Sequence, residues 1–341
     1  MNPIKKHFTF LGVKLFIPLL FFCATCKTQN NSSLLYNIKN PVIFEGNSNI
    51  GYSDPAIYYY ENTFYLFFTY YEIEKDRKIY SYTAQSESKD LVNWSAPRKI
   101  TPKGQSLNYS SPGNVIQYNN EWILCLQTYP RPGYTVNQGR RVATKDARIF
   151  IIRSTNLKNW SEPELLKVKG PNIPRNEMGR MIDPYLIEDK NEKGKWWCFY
   201  KQNGVSLSYS WNLKDWVFFG STPAGENVSV LVQNDEYIMF HSPLNGFGIK
   251  KSKDLINWID WGPIITLDQE NWDWAKGRIT AATVIDLRNT KSIGKYLMFF
   301  HGSSIKTEKE GIFDKNSSIS IGIAWSDDLL NWNWPDKNEE K

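Results

Sequence analysis

From residue 41 onward the chain alternates between apolar runs and short polar breaks, and one order of runs recurs. Two longer apolar runs joined by a polar turn are followed by a shorter β-patterned run, which ends in a tight turn closed by tryptophan. The shorter runs read IYSYTAQS, RIFIIRS, VSLSYS, FGIKKS and SISIGIAWS. The turns read SKDLVNW to Trp94, STNLKNW to Trp160, SWNLKDW to Trp216, SKDLINW to Trp258 and SDDLLNW to Trp332. Runs of this length with two-residue alternation, bounded by turn residues, predict strands. Five copies of one such unit predict β-sheets arranged radially around an axis.

A further short run follows each of the first four tryptophans (PRKIT, ELLKV, VFFGS, PIITL), whereas only NWPDKNEEK follows Trp332. The run PVIF at residues 41–44 has no unit of its own. The prediction is therefore all-β: a single five-bladed β-propeller over residues 41–335 whose N-terminal strand completes the last blade, followed by a charged tail at 336–341. The repeated Asp or Asn, Leu and Trp of the turns are assigned to backbone hydrogen bonds and packing between blades, and so are set apart from any site.

Ahead of this region, Lys5, Lys6 and Lys14 precede an apolar run from Leu15 to Phe22, and then come Cys23, Ala24, Thr25 and Cys26. That is a secretory signal over residues 1–25, too short for a membrane span. The small residues before Cys26 and the polar stretch after it resemble a bacterial lipoprotein signal with Cys26 as the lipidated residue, although Cys23 stands where Leu or Val is usual. Residues 26–40 then form a linker. The expectation is a secreted monomer held to the cell envelope and associated with the outer membrane through Cys26.

Removing residues 1–25 takes away three lysines and no acid, so the formal charge of +6 becomes +3, too weak to argue for nucleic acid as a partner. Cys125 and Cys198 lie in apolar runs and are expected as buried free thiols. Aromatics at 15% suit both strands and a sugar-binding surface.

Function is read from where the repeat symmetry breaks. The innermost strands begin YSDPAI with Asp54, SSPGNVI with Ser111, MIDPYLI with Asp183, GENVSVL with Glu226 and RITAATV with Thr280. In a propeller these starts converge on one mouth of the central channel, and the antiparallel second strand brings Tyr70, Tyr129, His241 and His301 to the same mouth. Converging carboxylates suit glycosidic bond cleavage, in which one acid protonates the leaving oxygen and another carboxylate activates water. Asp54 and Asp183 each precede proline, so turn shaping is the competing reading. Arg180 and Arg278 also stand at strand entries, either paired with the carboxylates or pointing to an anionic sugar. Trp272 and Trp274 are placed as a sugar-stacking platform, with packing between blades as the alternative.

At YSDPAI, MIDPYLI, the Glu after Gly225, and FFHGS the chain resembles glycoside hydrolase family 43, and the repeat pattern of that resemblance covers nearly all of residues 41–335. The resemblance implies an inverting glycosidase in which Asp54 is the general base, Glu226 the general acid, and Asp183 the residue that orients the acid and tunes its pKa. It also implies that His301 supports a calcium ion in the channel, through water, with no other cofactor required. Asn227 and Val228 after Glu226 depart from the family's usual Gly or Ala and Pro. The reading of another class is a non-catalytic, surface-anchored glycan-binding propeller, which would need the aromatics and arginines but not three acids at one mouth.

Overall fold

The computed structural model describes residues 33–136, 144–304, 318–335 and 337, so residues 1–25 and Cys26 lie outside the described residues. Five antiparallel sheets carry the chain in order. Blade 1 is Ile50–Tyr60, Thr63–Ile73, Ile79–Ser88 and Arg98–Lys99. Blade 2 is Glu121–Thr128, Ile149–Ser154 and Glu164–Leu165, with an innermost strand interrupted into Tyr109–Ser110 and Val115–Tyr118. Blade 3 is Ile182–Glu188, Trp196–Lys201, Val205–Ser210 and Trp216–Thr222, and blade 4 is Glu226–Gln233, Glu236–Ser242, Gly248–Ser252 and Ile259–Asp260. The outer strand of blade 4 is thus displaced from the expected PIITL, which contributes only a bridge between Phe247 and Ile265.

Blade 5 is Arg278–Asp286, Tyr296–Ser303 and Ile319–Ser326, and its outer strand is Val42–Phe44, paired antiparallel with Val42 opposite Gly322 and Phe44 opposite Ile321. The N-terminal strand closes the ring as its orphaned pattern predicts. Trp332–Asn333 shares that outer edge. The final residues of the expected linker are docked onto the same blade: the Leu34 amide donates to the Ser292 carbonyl at 2.9 Å, and Leu35 and Ile38 are buried.

Alternation within the second strand of each blade builds the joints. In blade 1, Phe64, Leu66 and Phe68 pack against Leu297 and Phe299 of blade 5, while Tyr65 and Phe67 pack against Leu124 and Leu126 of blade 2. The same division recurs at every joint, so the core is five apolar seams between blades. Large side chains buried this way each contribute on the order of 1.5–3 kcal/mol. Both Cys125 and Cys198 are buried and unbridged, within the seam of blades 2 and 3.

The tryptophan turns behave as structural corners. In blade 1, Asp90 Oδ1 accepts from the amides of Val92 and Asn93 at 3.0 and 2.7 Å, and Trp94 Nε1 donates to the Leu91 carbonyl at 3.1 Å. The turn leucine is buried and left-handed in every copy, with φ of 66°, 57°, 57°, 65° and 71° at Leu91, Leu157, Leu213, Leu255 and Leu329. That conformation costs on the order of 1–2 kcal/mol, which burial of the leucine offsets. Trp94, Trp160, Trp258 and Trp332 lie edge-on to Phe299, Phe67, Phe199 and Phe240 of the preceding blade.

Candidate active site

Every innermost strand enters the ring through a bulge. The register jumps between Ser53 and Ala56, Ile182 and Tyr185, Glu226 and Ser229, and Thr280 and Thr283. The first bulged residue has positive φ, at Asp54, Ser111, Asp183, Asn227 and Ala281. This corrects one sequence expectation: Glu226 and Thr280 are not the equivalents of Asp54 and Asp183 but stand one residue earlier, where Ser53 and Ile182 stand in their blades. Glu226 pairs with Ser242 as Ser53 pairs with Thr69. The shift turns the Glu226 side chain along a different direction from the two aspartates while keeping it at the same mouth.

The bulge leaves one backbone N–H per blade pointing out of its own sheet, and the preceding blade supplies the acceptor. Asp54 donates to His301 Nδ1 at 3.0 Å, Ser111 to Thr69 Oγ1 at 2.7 Å, Asp183 to Gln127 Oε1 at 2.6 Å, and Ala281 to Ser242 Oγ at 2.7 Å. At the joint between blades 3 and 4 the equivalent residue is Lys201, which has no acceptor, and the Asn227 amide acts instead on the Asp183 carboxylate. Lys201 Nζ donates to the Ala224 carbonyl at 3.3 Å, just ahead of Glu226.

Asp54, Asp183 and Glu226 line one cavity of about 180 Å³ at the channel mouth. Three hydroxyls converge on Asp54 Oδ2: Ser53 at 2.8 Å, Thr69 at 2.9 Å and Ser111 at 2.9 Å. Those donors hold the carboxylate in one orientation and leave Oδ1 outside the hydroxyl cluster. Asp183 is 7% exposed, and its Oδ2 has no hydrogen-bond partner among the described residues. Burial, followed by the like charges of Glu226 and Asp54, pushes its pKa well above the usual aspartate range, against an opposing pull from Arg180. Glu226, by contrast, is a third exposed and accepts from Arg278 Nη2 at 3.2 Å. Such a half-open pair fixes orientation more than it stabilises the fold.

Arg180, Arg278, His301, Tyr129 and Ser111 line the cavity as expected, joined by Arg131, Tyr71 and Gln127. The sequence reading passes over Arg131 because it sits in a loop with no counterpart in the other units. Four other sequence assignments are corrected. Tyr70 follows Phe64, Leu66 and Phe68 in parity, so it faces the blade 5 seam against Tyr52, and Tyr71 faces the cavity instead. His241 is buried behind the mouth, where Nδ1 accepts from the Gly225 amide at 3.0 Å, and burial lowers its pKa to about 4. It positions the residue before Glu226 rather than substrate.

Trp272 and Trp274 are stacked on each other, and Trp272 is stacked and Trp274 tilted against Phe300, within the seam of blades 4 and 5. Their packing role excludes them from the channel mouth. For His301, Nδ1 accepts the Asp54 amide, so the neutral ring carries its proton on Nε2 and presents a donor there. No three of His, Cys, Asp or Glu are grouped to hold one ion among the described residues. Through that bond His301 holds the Asp54 backbone in place.

Among the described residues, five buried polar atoms without a hydrogen-bond partner belong to side chains that line this one cavity: Tyr134 Oη, Arg180 Nε, Asp183 Oδ2, Arg278 Nε and Thr280 Oγ1. Buried polar groups are rarely left so. Their concentration marks a place built to receive a polar ligand.

The fold and this mouth can be set beside known proteins. No curated protein sequence gives a significant match to the chain. Among solved structures, an exo-1,5-α-L-arabinanase from a bovine ruminal metagenomic library is similar, at 15% identity and a TM-score of 0.56 over 84% of this chain and 97% of that one. So are the catalytic domain of a Coprinopsis cinerea α-L-arabinofuranosidase, at 13% and 0.57 over 83% and 94%, and a Xanthomonas citri family 43 enzyme complexed with xylose, at 9% and 0.53 over 90% and 97%. At such identities the likeness is one of fold. The family model for glycosyl hydrolases family 43 matches residues 38–212, more than half of the chain and the stretch that carries both aspartates. With a five-bladed ring and three carboxyl groups at its mouth, the chain belongs to glycosyl hydrolases family 43 and is a glycosidase acting on carbohydrate.

Proposed function

We propose that the enzyme cleaves O-glycosidic bonds with inversion, Asp54 acting as general base, Glu226 as general acid and Asp183 as the residue that orients and tunes the acid. The observation that carries this reading is the division of environments among the three carboxyls. Asp54 is held by three hydroxyl donors on one oxygen, Asp183 is sealed with an unpartnered oxygen, and Glu226 is open to the cavity on a single arginine contact. A base must be a fixed acceptor, an acid must reach the leaving oxygen, and a tuning group must act through its field without touching water.

In the step proposed, Glu226 donates its proton to the glycosidic oxygen as the bond to the anomeric carbon breaks. A water attacks the opposite face of that carbon and gives its proton to Asp54. Solvent exchange then returns Asp54 to carboxylate and Glu226 to acid. The test is the anomeric configuration of the first-formed product, followed by NMR during hydrolysis. Net inversion is expected, and retention would remove Asp54 from the role of base. A leaving-group series adds the second half: Glu226→Gln should lose least with activated aryl glycosides, whereas the loss in Asp54→Asn should not depend on the leaving group.

We also infer that the mature enzyme is secreted and lipid-anchored through Cys26, from the charged, apolar and small-residue order of residues 1–26. Partition into the detergent phase, lost in Cys26→Ser, is the expected result. Partition that survives the substitution would rule the anchor out.

A further inference from the structure

The two faces of the ring differ in what they expose. Each innermost strand starts at the mouth, so the hairpin that ends it and the tryptophan turn of the same blade stand on the far face. That face carries Tyr36, Val92, Trp211, Ile256 and Ile259, large apolar side chains each between 46% and 73% exposed. Val92, Trp211 and Ile256 belong to the turns of blades 1, 3 and 4, and Ile259 opens the outer strand of blade 4. The turn itself does not ask for them: where Trp211 stands, the other copies have Lys89, Thr155, Lys253 and Asp327. On the mouth side, among the described residues, the comparable exposures are Leu244 and Ile264, both on blade 4.

The chain also enters the ring on the far face. Ser33 Oγ and the Leu34 amide both donate to the Ser292 carbonyl, at 3.3 and 2.9 Å, and Leu35 packs with Leu287 and Ile293. Those partners lie in the hairpin that follows Arg278–Asp286, a strand whose start is at the mouth. Cys26 stands seven residues before Ser33, a stretch that spans at most about 25 Å when fully extended. The 11 residues of Ile50–Tyr60 make the ring about 35 Å deep at ordinary strand rise. A mouth turned toward the anchoring surface would hold Ser33 farther away than that stretch can reach.

Charge does not choose the partner here. The turns set Lys89, Lys158, Lys214 and Lys253 against Asp90, Asp215, Asp254, Asp327 and Asp328, so attraction to anionic headgroups is not what the face offers. Its apolar tips are. Tryptophan and tyrosine suit a boundary that is apolar on one side and wet on the other, and lysine stems can lie along the same boundary with their charge in water.

We propose that the face opposite the mouth rests on the lipid surface that holds Cys26, with Tyr36, Trp211 and Ile256 seated in its boundary and the catalytic mouth turned outward. This rests on the lipid-anchor reading of residues 1–26 and adds an orientation to it.

The experiment places the lipidated protein in phosphatidylcholine vesicles that carry a lipid-borne quencher, with one surface cysteine introduced at a time and labelled with a thiol-reactive fluorophore. Cys125 and Cys198 are buried and do not compete for the label. Lys214→Cys and Lys253→Cys report from the far face, Lys75→Cys and Lys276→Cys from the mouth side, all four positions being exposed. Quenching should be about 3-fold or more stronger on the far face, because apolar side chains at such a boundary sit about 5–10 Å into it. The contrast should persist in high salt, since balanced charges leave little to screen. Trp211→Ser combined with Ile256→Ser should erase most of it, while thermal unfolding and the hydrolysis of a soluble glycan stay as in the wild type.

Equal quenching at the two faces, stronger quenching on the mouth side, or a contrast that survives the double substitution would overturn the proposal. Detergent partition is read on the same samples. Protein that partitions without a contrast leaves the anchor standing and removes the orientation, whereas wild type that fails to partition removes both.

Discussion

Aspartate occupies the two ends of the blades in opposite circumstances. In the tryptophan turns, on the face away from the mouth, Asp90 is surrounded by donors: the Asn93 side chain first, then backbone amides and the Ser88 hydroxyl, which together bring its pKa down to about 2. Asp254 and Asp328 sit in copies of the same cage. At the mouth, Asp183 has burial and two like charges and an oxygen with no partner, and its pKa moves the other way. One residue type in one repeat unit is made inert by oversupplying donors and made responsive by withholding them. The first arrangement repeats with the fold; the second is found at the entry of blade 3, where the Asn227 amide opposes the rise without outweighing burial and the like charges.

The strongest break of that comparison is in catalysis. Asp54→Asn or Glu226→Gln should lower kcat by about 10³-fold with a poor leaving group, while Asp90→Asn leaves kcat/KM unchanged; steady-state kinetics on one glycan decide it. Next is the seam. Trp332→Ala should cost about 3–5 kcal/mol in urea unfolding, because it opens a cavity against Phe240, yet the folded fraction should keep its kcat.

The third effect is pH-dependent. His241 titrates near 4 in the fold and near 6.5 in the unfolded chain, so the unfolded state binds the proton first as pH falls. Stability should therefore decline by up to about 3 kcal/mol between pH 6.5 and 4, and His241→Asn, which keeps an acceptor for the Gly225 amide without titrating, should flatten that limb. A fourth and smaller effect concerns Asp183. Its raised pKa means that the unfolded chain ionises first as pH rises past about 3.8, at a cost to the fold. Asp183→Asn should thus raise stability by about 1–3 kcal/mol at pH 7 and much less at pH 3.5, with turnover lost. The smallest expected change is Asp90→Ala, about 1 kcal/mol, seen above pH 4 and fading as the wild-type carboxylate itself is protonated.

The repeat count, the tryptophan turns and the closing strand are legible in the sequence because each rests on local pattern, and a surplus strand at one end answers a missing one at the other. Asp54 and Asp183 are legible because they interrupt that pattern at the same place. The one-residue offset of Glu226 is not, since it depends on whether Asn227 or Glu226 takes the left-handed bulge position, and both sequences read alike. Tyr70 fails by parity, as a shift of one along a strand exchanges cavity for seam. The inter-blade acceptors escape notice because His301, Thr69, Gln127 and Ser242 share a task and no chemistry beyond accepting one hydrogen bond. Trp272 and Trp274 look like a sugar platform on paper because aromatic pairs serve seams and ligands equally well.

The closing strand has a consequence in time and in mechanics. The Gly46 amide meets Ser320 across 274 residues, so the seam cannot form until the last blade has been synthesised, about 10–50 s after its first half at ordinary ribosomal rates. Until then Val42–Phe44 has no sheet to join, and the ring stands open with an apolar face on each side. The same strand is the first ordered strand met by tension on the N-terminus. Pulled from that end, the molecule would give up the docked turn at Leu34–Ile38 and then this strand before any blade that carries the catalytic carboxyls is disturbed.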